Sequence, residues 1–380
     1  MLKSALAFLK TGGWLFALLS IAIILNHRQG YITLLGVFSA VVFATISVKK
    51  RMDVCALIIL AYTFFYIVIS SFNGFSYSVS TLFIYAVTPF FFYQYGNSIV
   101  TRFKEENYII IAWLIIVTCY CLDIFLVTIS NIIETGQVIS PDRMFSFDAK
   151  GESILSATGV GLPMDIGMIG LPMFLITKNR PIRYIFLILF ILSLITTFSL
   201  LNRTGIVVAF LCFIIVIGYR SRKNISSLIV YLIVVSVLVS ILIYADIINN
   251  ELIAYYNERN KDLATMGTRT ERWAVAIGNL FTHPLGWADN GQVYYVHNMW
   301  LDVARISGIV PFVLLSCMAV SSFRMAFRLV RIFGNNLSYM LLGLNVCFFS
   351  SCFVEPIYGG THLLLYFMLW GTERELCRNN

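Results

Sequence analysis

The groups able to do chemistry in this chain are a few arginines and one histidine, placed at the ends of long apolar runs. Arg203 stands in Leu201-Asn202-Arg203-Thr204-Gly205, between two apolar segments. Arg269 and Arg272 lie one helical turn apart, so a helix puts them on one face. A guanidinium is planar, always charged and donates as a fork, which suits phosphate oxygens. His297 opens His297-Asn298-Met299-Trp300, and imidazole is the commonest general base near neutral pH. These types together would hold a diphosphate and take a proton from a hydroxyl, without a metal.

Each position also has a plainer reading. Arg203 fits a snorkelling arginine at a helix end. Arg269 and Arg272 fit a solvated face or contacts to lipid phosphates. His297 fits an interfacial histidine in an aromatic belt with Trp287, Tyr294, Tyr295 and Trp300, and His283 before Pro284 fits a helix C-terminal cap. Asp302 and Arg305 are i, i+3 and can pair, either as scaffolding or facing a cavity. Asp165, in a Gly- and Pro-rich stretch, is an ionisable residue at shallow membrane depth and a functional hint by default. Arg143, Glu355 and His362 could approach the same surface. Sequence alone does not place any of them in three dimensions.

The body that must position these groups is hydrocarbon-loving. The chain has 380 residues, 59% hydrophobic and 12% charged, with a mean hydropathy of +0.84. Soluble domains are nearer half apolar and a quarter charged, so composition predicts an all-α polytopic membrane protein. The amino-terminal apolar run lacks a small-x-small cleavage site and reads as a retained first helix. Apolar runs of membrane-crossing length fall at 12–25, 31–48, 54–72, 79–100, 108–131, 159–177, 184–200, 204–218, 225–247, 298–322, 337–354 and 359–371, giving about twelve spans in one integral membrane domain, 1–380. The eight cysteines lie in apolar spans or the tail, so neither a disulfide framework nor a metal site is expected.

The net charge of +8 is spread as topology signals rather than as a patch for nucleic acid, and no nucleic-acid partner is expected. With the N-terminus inside, 18 of the 27 Lys and Arg fall in the short cytoplasmic segments. Both termini are then cytoplasmic, and two sizeable loops, 132–158 and 248–297, face outward. Within the larger loop, 249–267 is polar and helical in character. Trp273, Ile277, Leu280 and Phe281 follow at i, i+4, i+7 and i+8, the spacing of an amphipathic helix lying on the membrane face with Arg269 and Arg272 at its start. Residues 283–291 form a turn cluster. Internal repeats, Walker loops, GxSxG, HExxH and paired-Asp motifs are absent.

Several short motifs recur in one order. Asn202-Arg203-Thr204-Gly205 precedes Gly267-Thr268-Arg269 with Trp273. Then come His283-Pro284-Leu285-Gly286 and His297-Asn298-Met299-Trp300-Leu301 with Gly308. This order resembles the O-antigen polymerase and O-antigen ligase superfamily, metal-independent glycosyltransferases acting on polyprenyl-linked glycans. The resemblance covers mainly 200–310, together with the spans and the dominant outer loop. It implies a glycan donor and acceptor on undecaprenyl diphosphate, no cofactor, and a chain-length regulator membrane protein as partner. Arg203 and Arg269 match the arginines that hold the donor diphosphate, and His297 the histidine that activates the acceptor hydroxyl. Arg272, Arg305, Arg143, Asn298 and Glu355 are the expected substrate-binding residues around them. Asn202 stands where serine is commoner, and a strict R-x10-G pattern is missing from both outer loops. The bacterial inner membrane is the expected location, with the site facing the periplasm. A polymerase joining repeat units is favoured; a ligase passing glycan to lipid A core, or a polysaccharide transporter, are the alternatives.

Overall fold

A bilayer offers no water to an unpaired peptide group, so a chain that crosses it must pair its backbone internally, and helices do this. The structure, a computed structural model, describes residues 52–138, 144–146, 154–222, 226, 229, 269–288, 296–354 and 361–379. The expected spans 12–25 and 31–48, all of 225–247 except residues 226 and 229, the polar helix of 249–267, Tyr294, Tyr295, Arg143 and Glu355 lie outside them. Helices α1 (Val54–Phe72), α2 (Val79–Arg102) and α3 (Glu106–Thr135) come first, and a short ladder, β1 (Met144–Ser146) on β2 (Ile154–Ser156), follows. Next are α4 (Ala157–Gly167), α5 (Gly170–Ile176), α6 (Arg180–Ser199) and α7 (Arg203–Arg220). The last described set is α8 (Arg269–Thr282), α9 (Met299–Ser307), α10 (Ile309–Ile332), α11 (Asn336–Val354) and α12 (Thr361–Arg378).

Six of these, α1, α3, α6, α7, α10 and α11, are long and apolar enough to cross a membrane among the described residues. The chain is therefore a helical membrane protein. The described elements are helices apart from one three-residue antiparallel ladder in the smaller loop. Two expected spans are broken. The run 159–177 divides into α4 and α5 at Met168 and Ile169, and 298–322 divides at Gly308 into α9 and α10.

Hydrogen bonds between helix ends sort the bundle into two ends. At one, Asp53 caps α1 and accepts from Tyr93 (2.8 Å) and Arg374 (3.5 Å). Glu106 there accepts from Asn335 Nδ2 (2.9 Å) and Leu337 N (3.2 Å), and Arg331 Nε donates to Tyr219 Oη (3.2 Å). At the other end, the turn after α1 meets the chain around α8 and α9, and Ser199 Oγ donates to the Val138 carbonyl. The first end carries Arg102, Lys104, Arg220, Arg222, Arg331, Arg374 and Arg378, and is the basic end.

Close backbone contact and buried polar pairing join the helices. Cβ atoms at Gly96 and Gly371 would collide with the backbones of α12 and α2, so glycine allows these two to touch. A second device is a ring of three side chains: Ser322 on α10, Asn345 on α11 and Glu373 on α12, all essentially unexposed. Ser322 Oγ lies 2.7 Å from Asn345 Oδ1 and 2.6 Å from Glu373 Oε2, and Asn345 Nδ2 donates to Glu373 Oε1. Serine has one hydroxyl hydrogen for two acceptors. The ring is satisfied when Glu373 carries a proton and donates to Ser322, which then donates to Asn345.

That proton count sets a test. Glu373→Gln supplies the same donor and acceptor and should leave stability within about 1 kcal/mol of the parent. Glu373→Ala strands a buried hydroxyl and amide and should cost roughly 3 kcal/mol. Thermal unfolding of both variants in detergent measures the difference.

Candidate functional site

The α8 helix forms as its spacing predicts. Trp273, Ile277, Leu280 and Phe281 all line one groove, and Ile277 and Phe281 remain 52% and 73% exposed, while Ala276 and Leu280 turn inward. At 100° per residue, Arg269 and Arg272 continue the inward stripe of Ala276 and Leu280, and both are half-buried. The two arginines share a face, and it is the face turned to the protein.

Past α8 the chain turns where the His-Pro-x-Gly motif stands. His283 N donates to the Asn279 carbonyl (2.8 Å), ending the helix, and Gly286 N donates back to the His283 carbonyl (2.9 Å). This turn is stitched to the far end of α9 by Trp287 N to the Arg305 carbonyl (2.8 Å) and Ile309 N to the Pro284 carbonyl (2.9 Å). Gly286 and Gly308, at φ +104° and +79°, face each other across this seam. A Cβ on Gly308 would strike Pro284 and Leu285; one on Gly286 would lie 2.9 Å from the Arg305 carbonyl oxygen. Asn73, from the turn after α1, closes the seam by donating to the Leu285 (2.6 Å) and Ile306 (2.9 Å) carbonyls. Sequence reasoning passed over Asn73; its one signal was its place before Gly74 in a turn.

His297 sits between two pinned neighbours. The Val296 carbonyl accepts from Trp273 Nε1 (2.9 Å), and Val296 N donates to Asp302 Oδ1 (3.2 Å). Asn298 Oδ1 accepts from Leu301 N (3.1 Å) as the α9 N-cap, and its Nδ2 donates to the Phe353 carbonyl at the end of α11 (2.9 Å). Asp302 also takes Arg305 Nε at 3.3 Å in a buried i, i+3 pair. The pairing expected of Asp302 and Arg305 is thus present, in α9, and it holds the turn that carries His297. Asn298 likewise has a positioning task.

The corner at Arg203 is built by the same local device. Leu201 (φ +51°) and His297 (φ +55°) are the non-glycine residues with positive φ among the described residues, and each precedes an asparagine N-cap. Asn202 Oδ1 accepts from Thr204 N at 3.1 Å, opening α7 with a half-buried Arg203 at its first position. Such backbone conformations are costly for side chains with a Cβ and cluster at functional positions. Asp165 is buried on α4, and its Oδ1 lies 3.2 Å from where a Cβ on Gly205 would stand.

Helix α11 relates the two corners. It runs antiparallel to α7, since Cys212 Sγ reaches the Gly343 carbonyl (3.7 Å) while Arg220 lies over the Tyr339 ring. Nine residues up from that contact on α7 is Arg203, and nine along α11 is Cys352, so Arg203 stands level with the α11 end. Phe353 there accepts from Asn298 and packs edge-on against Trp273, with ring centroids 5.1 Å apart. Arg203, Arg269, Arg272 and His297 are therefore gathered at the end of the bundle opposite the basic one. His362, at the start of α12, lies near the same end but is buried inside the bundle, with Nε2 2.8 Å from Ser351 Oγ and its ring against Phe348 and Tyr120. The α12 register turns His362 inward, so it does not reach the surface it was expected to approach.

Beside this turn a groove of about 1020 Å³ runs from α8, along α10 and α11, to Arg331. Its walls are mainly apolar and rich in aromatic rings, with Trp273, Trp300, Phe323 and Phe349 among them. Phe312 to Arg331 on α10 covers about 28 Å, the thickness of a hydrocarbon core. No family model and no curated protein matches the chain.

The strain at position 297 is testable apart from any activity. Glycine costs less than alanine at positive φ, reversing the usual order. His297→Gly should be more stable than His297→Ala by about 1 kcal/mol, read from unfolding of the two variants in the same detergent.

Proposed function

We propose that the chain is a surface-polysaccharide polymerase of the O-antigen type, transferring glycan from undecaprenyl diphosphate to a second lipid-linked repeat unit. The observation that supports this reading is that the Arg203 corner and the pinned His297 turn both lie level with one end of α11. The apolar part of the groove beside that turn, from Trp273 to Phe323, adds a path suited to a polyprenyl chain. On this reading the chain has about twelve spans, with 1–51 and 223–268 contributing three. The basic end is cytoplasmic and the candidate site faces the periplasm of the bacterial inner membrane.

The chemistry is a single displacement. His297 accepts the proton of the acceptor hydroxyl as its oxygen bonds to the anomeric carbon of the donor. The carbon–oxygen bond to the diphosphate breaks, and the electron pair leaves with undecaprenyl diphosphate. Arg203 and Arg269 hold the charge that develops there, an effect of several kcal/mol in a site shielded from water. Proton removal contributes about 10²–10⁴ in rate. Arg272, Arg143 and Glu355 are proposed to bind sugar or phosphate, and Asn298 and Arg305 to act by positioning. A chain-length regulator is the proposed membrane partner.

Complementation of a polymerase-deficient strain tests the assignment. Wild type should restore the lipopolysaccharide ladder. His297→Ala, Arg203→Ala and Arg269→Ala should each leave single repeat units on the core, at normal membrane abundance. A normal ladder from all three variants would sink the proposal, and an uncapped core in the deletion strain would point to the ligase instead.

A further inference from the structure

The groove beside the His297 turn does not end at an uncharged floor. Its far end is lined by Arg324, Arg328 and Arg331 of α10. At spacings of four and three they lie on one helical face, and all three are exposed. That face is shared with Phe323 and Phe327, so the cations continue the aromatic wall rather than surround the helix. Arg331 is fixed at the rim by its bond to Tyr219. Among the described residues no Asp or Glu lines the groove, and like charges at these spacings oppose one another on a helix. A polyprenyl chain is uncharged along its length and gives these three cations nothing to bind.

We propose that this end of the groove binds an anionic phospholipid from the adjoining leaflet. The three guanidiniums hold its phosphate and its acyl chains lie along Phe323, Phe327 and Phe349. A soluble phosphate would use the cations but not the aromatic slot that continues from them. A zwitterionic lipid would use the slot without the net charge. An anionic phospholipid matches both, with headgroup at the water boundary and tails in the hydrocarbon layer. The site lies at the opposite end of the groove from His297, so it stands independently of the glycosyl-transfer reading.

The test uses the full-length protein, delipidated in detergent and titrated with dioleoylphosphatidylglycerol or dioleoylphosphatidylcholine, with bound lipid counted by native mass spectrometry. The two lipids share tails and differ in net charge. Wild type should prefer phosphatidylglycerol by at least about ten-fold, since each arginine near an anionic group contributes roughly five-fold. The triple variant R324Q/R328Q/R331Q should lose that preference, while R180Q, at the start of α6 and outside the groove, should keep it. Should the triple variant fail to fold, R328Q alone should lower the preference roughly five-fold. Equal binding of the two lipids, an unchanged preference in the arginine variants, or an equal loss in R180Q would each overturn the proposal.

Discussion

The candidate site depends on how the backbone of Val296 is held. Its carbonyl is bonded by an indole from α8 and its N–H by a carboxylate from α9. The next residue but one is tied to the end of α11. Three helices therefore agree on the position of one left-handed residue, His297, whose conformation none of them would produce alone. Strained backbone persists only where its surroundings over-determine it. Here the surroundings are two hydrogen bonds, an N-cap and a seam at which two glycines meet. A backbone held this way fixes the point from which the His297 side chain projects.

The same arrangement explains why an expected single span is broken. A helix continuous through 298–322 would carry its first two turns straight on from α10. Instead Gly308, at positive φ, lets the chain fold back against the 283–287 turn, and α9 becomes a separate short helix with every residue buried. The break opens the wall of the groove next to the histidine turn. The groove joins two chemically different ends, one aromatic and close to His297, the other cationic, so different parts of a lipid layer have different fits along it.

Elsewhere the bundle closes some of its buried polar side chains into sets. The Ser322–Asn345–Glu373 ring joins α10, α11 and α12 without leaving a donor over once Glu373 is neutral, and Asp53 gathers α1, α2 and α12 at the basic end. In an interior without water an unmatched group is expensive, so such sets fix register as well as stability. α11 gains most from this: with its neighbours held, its far end becomes a fixed post between the Arg203 corner and the histidine turn.

What the residues determine by themselves is what local periodicity and chemistry can encode. Long apolar runs demand helices, and the four apolar positions of α8 predict its groove-facing side because helical spacing is a local property. The His283 cap and the Asp302–Arg305 pair follow for the same reason, each within one turn of chain. Arg203, Arg269 and His297 are nominated by type and by motif order. Their common placement at one end of α11 is decided only by packing. So is the use of Asn73, which bonds chain more than two hundred residues away, and the inward turn of His362. The strain at Leu201 and His297 is likewise invisible in a sequence, since nothing local favours positive φ there. Contacts between distant segments impose it, and only the folded chain brings those segments together.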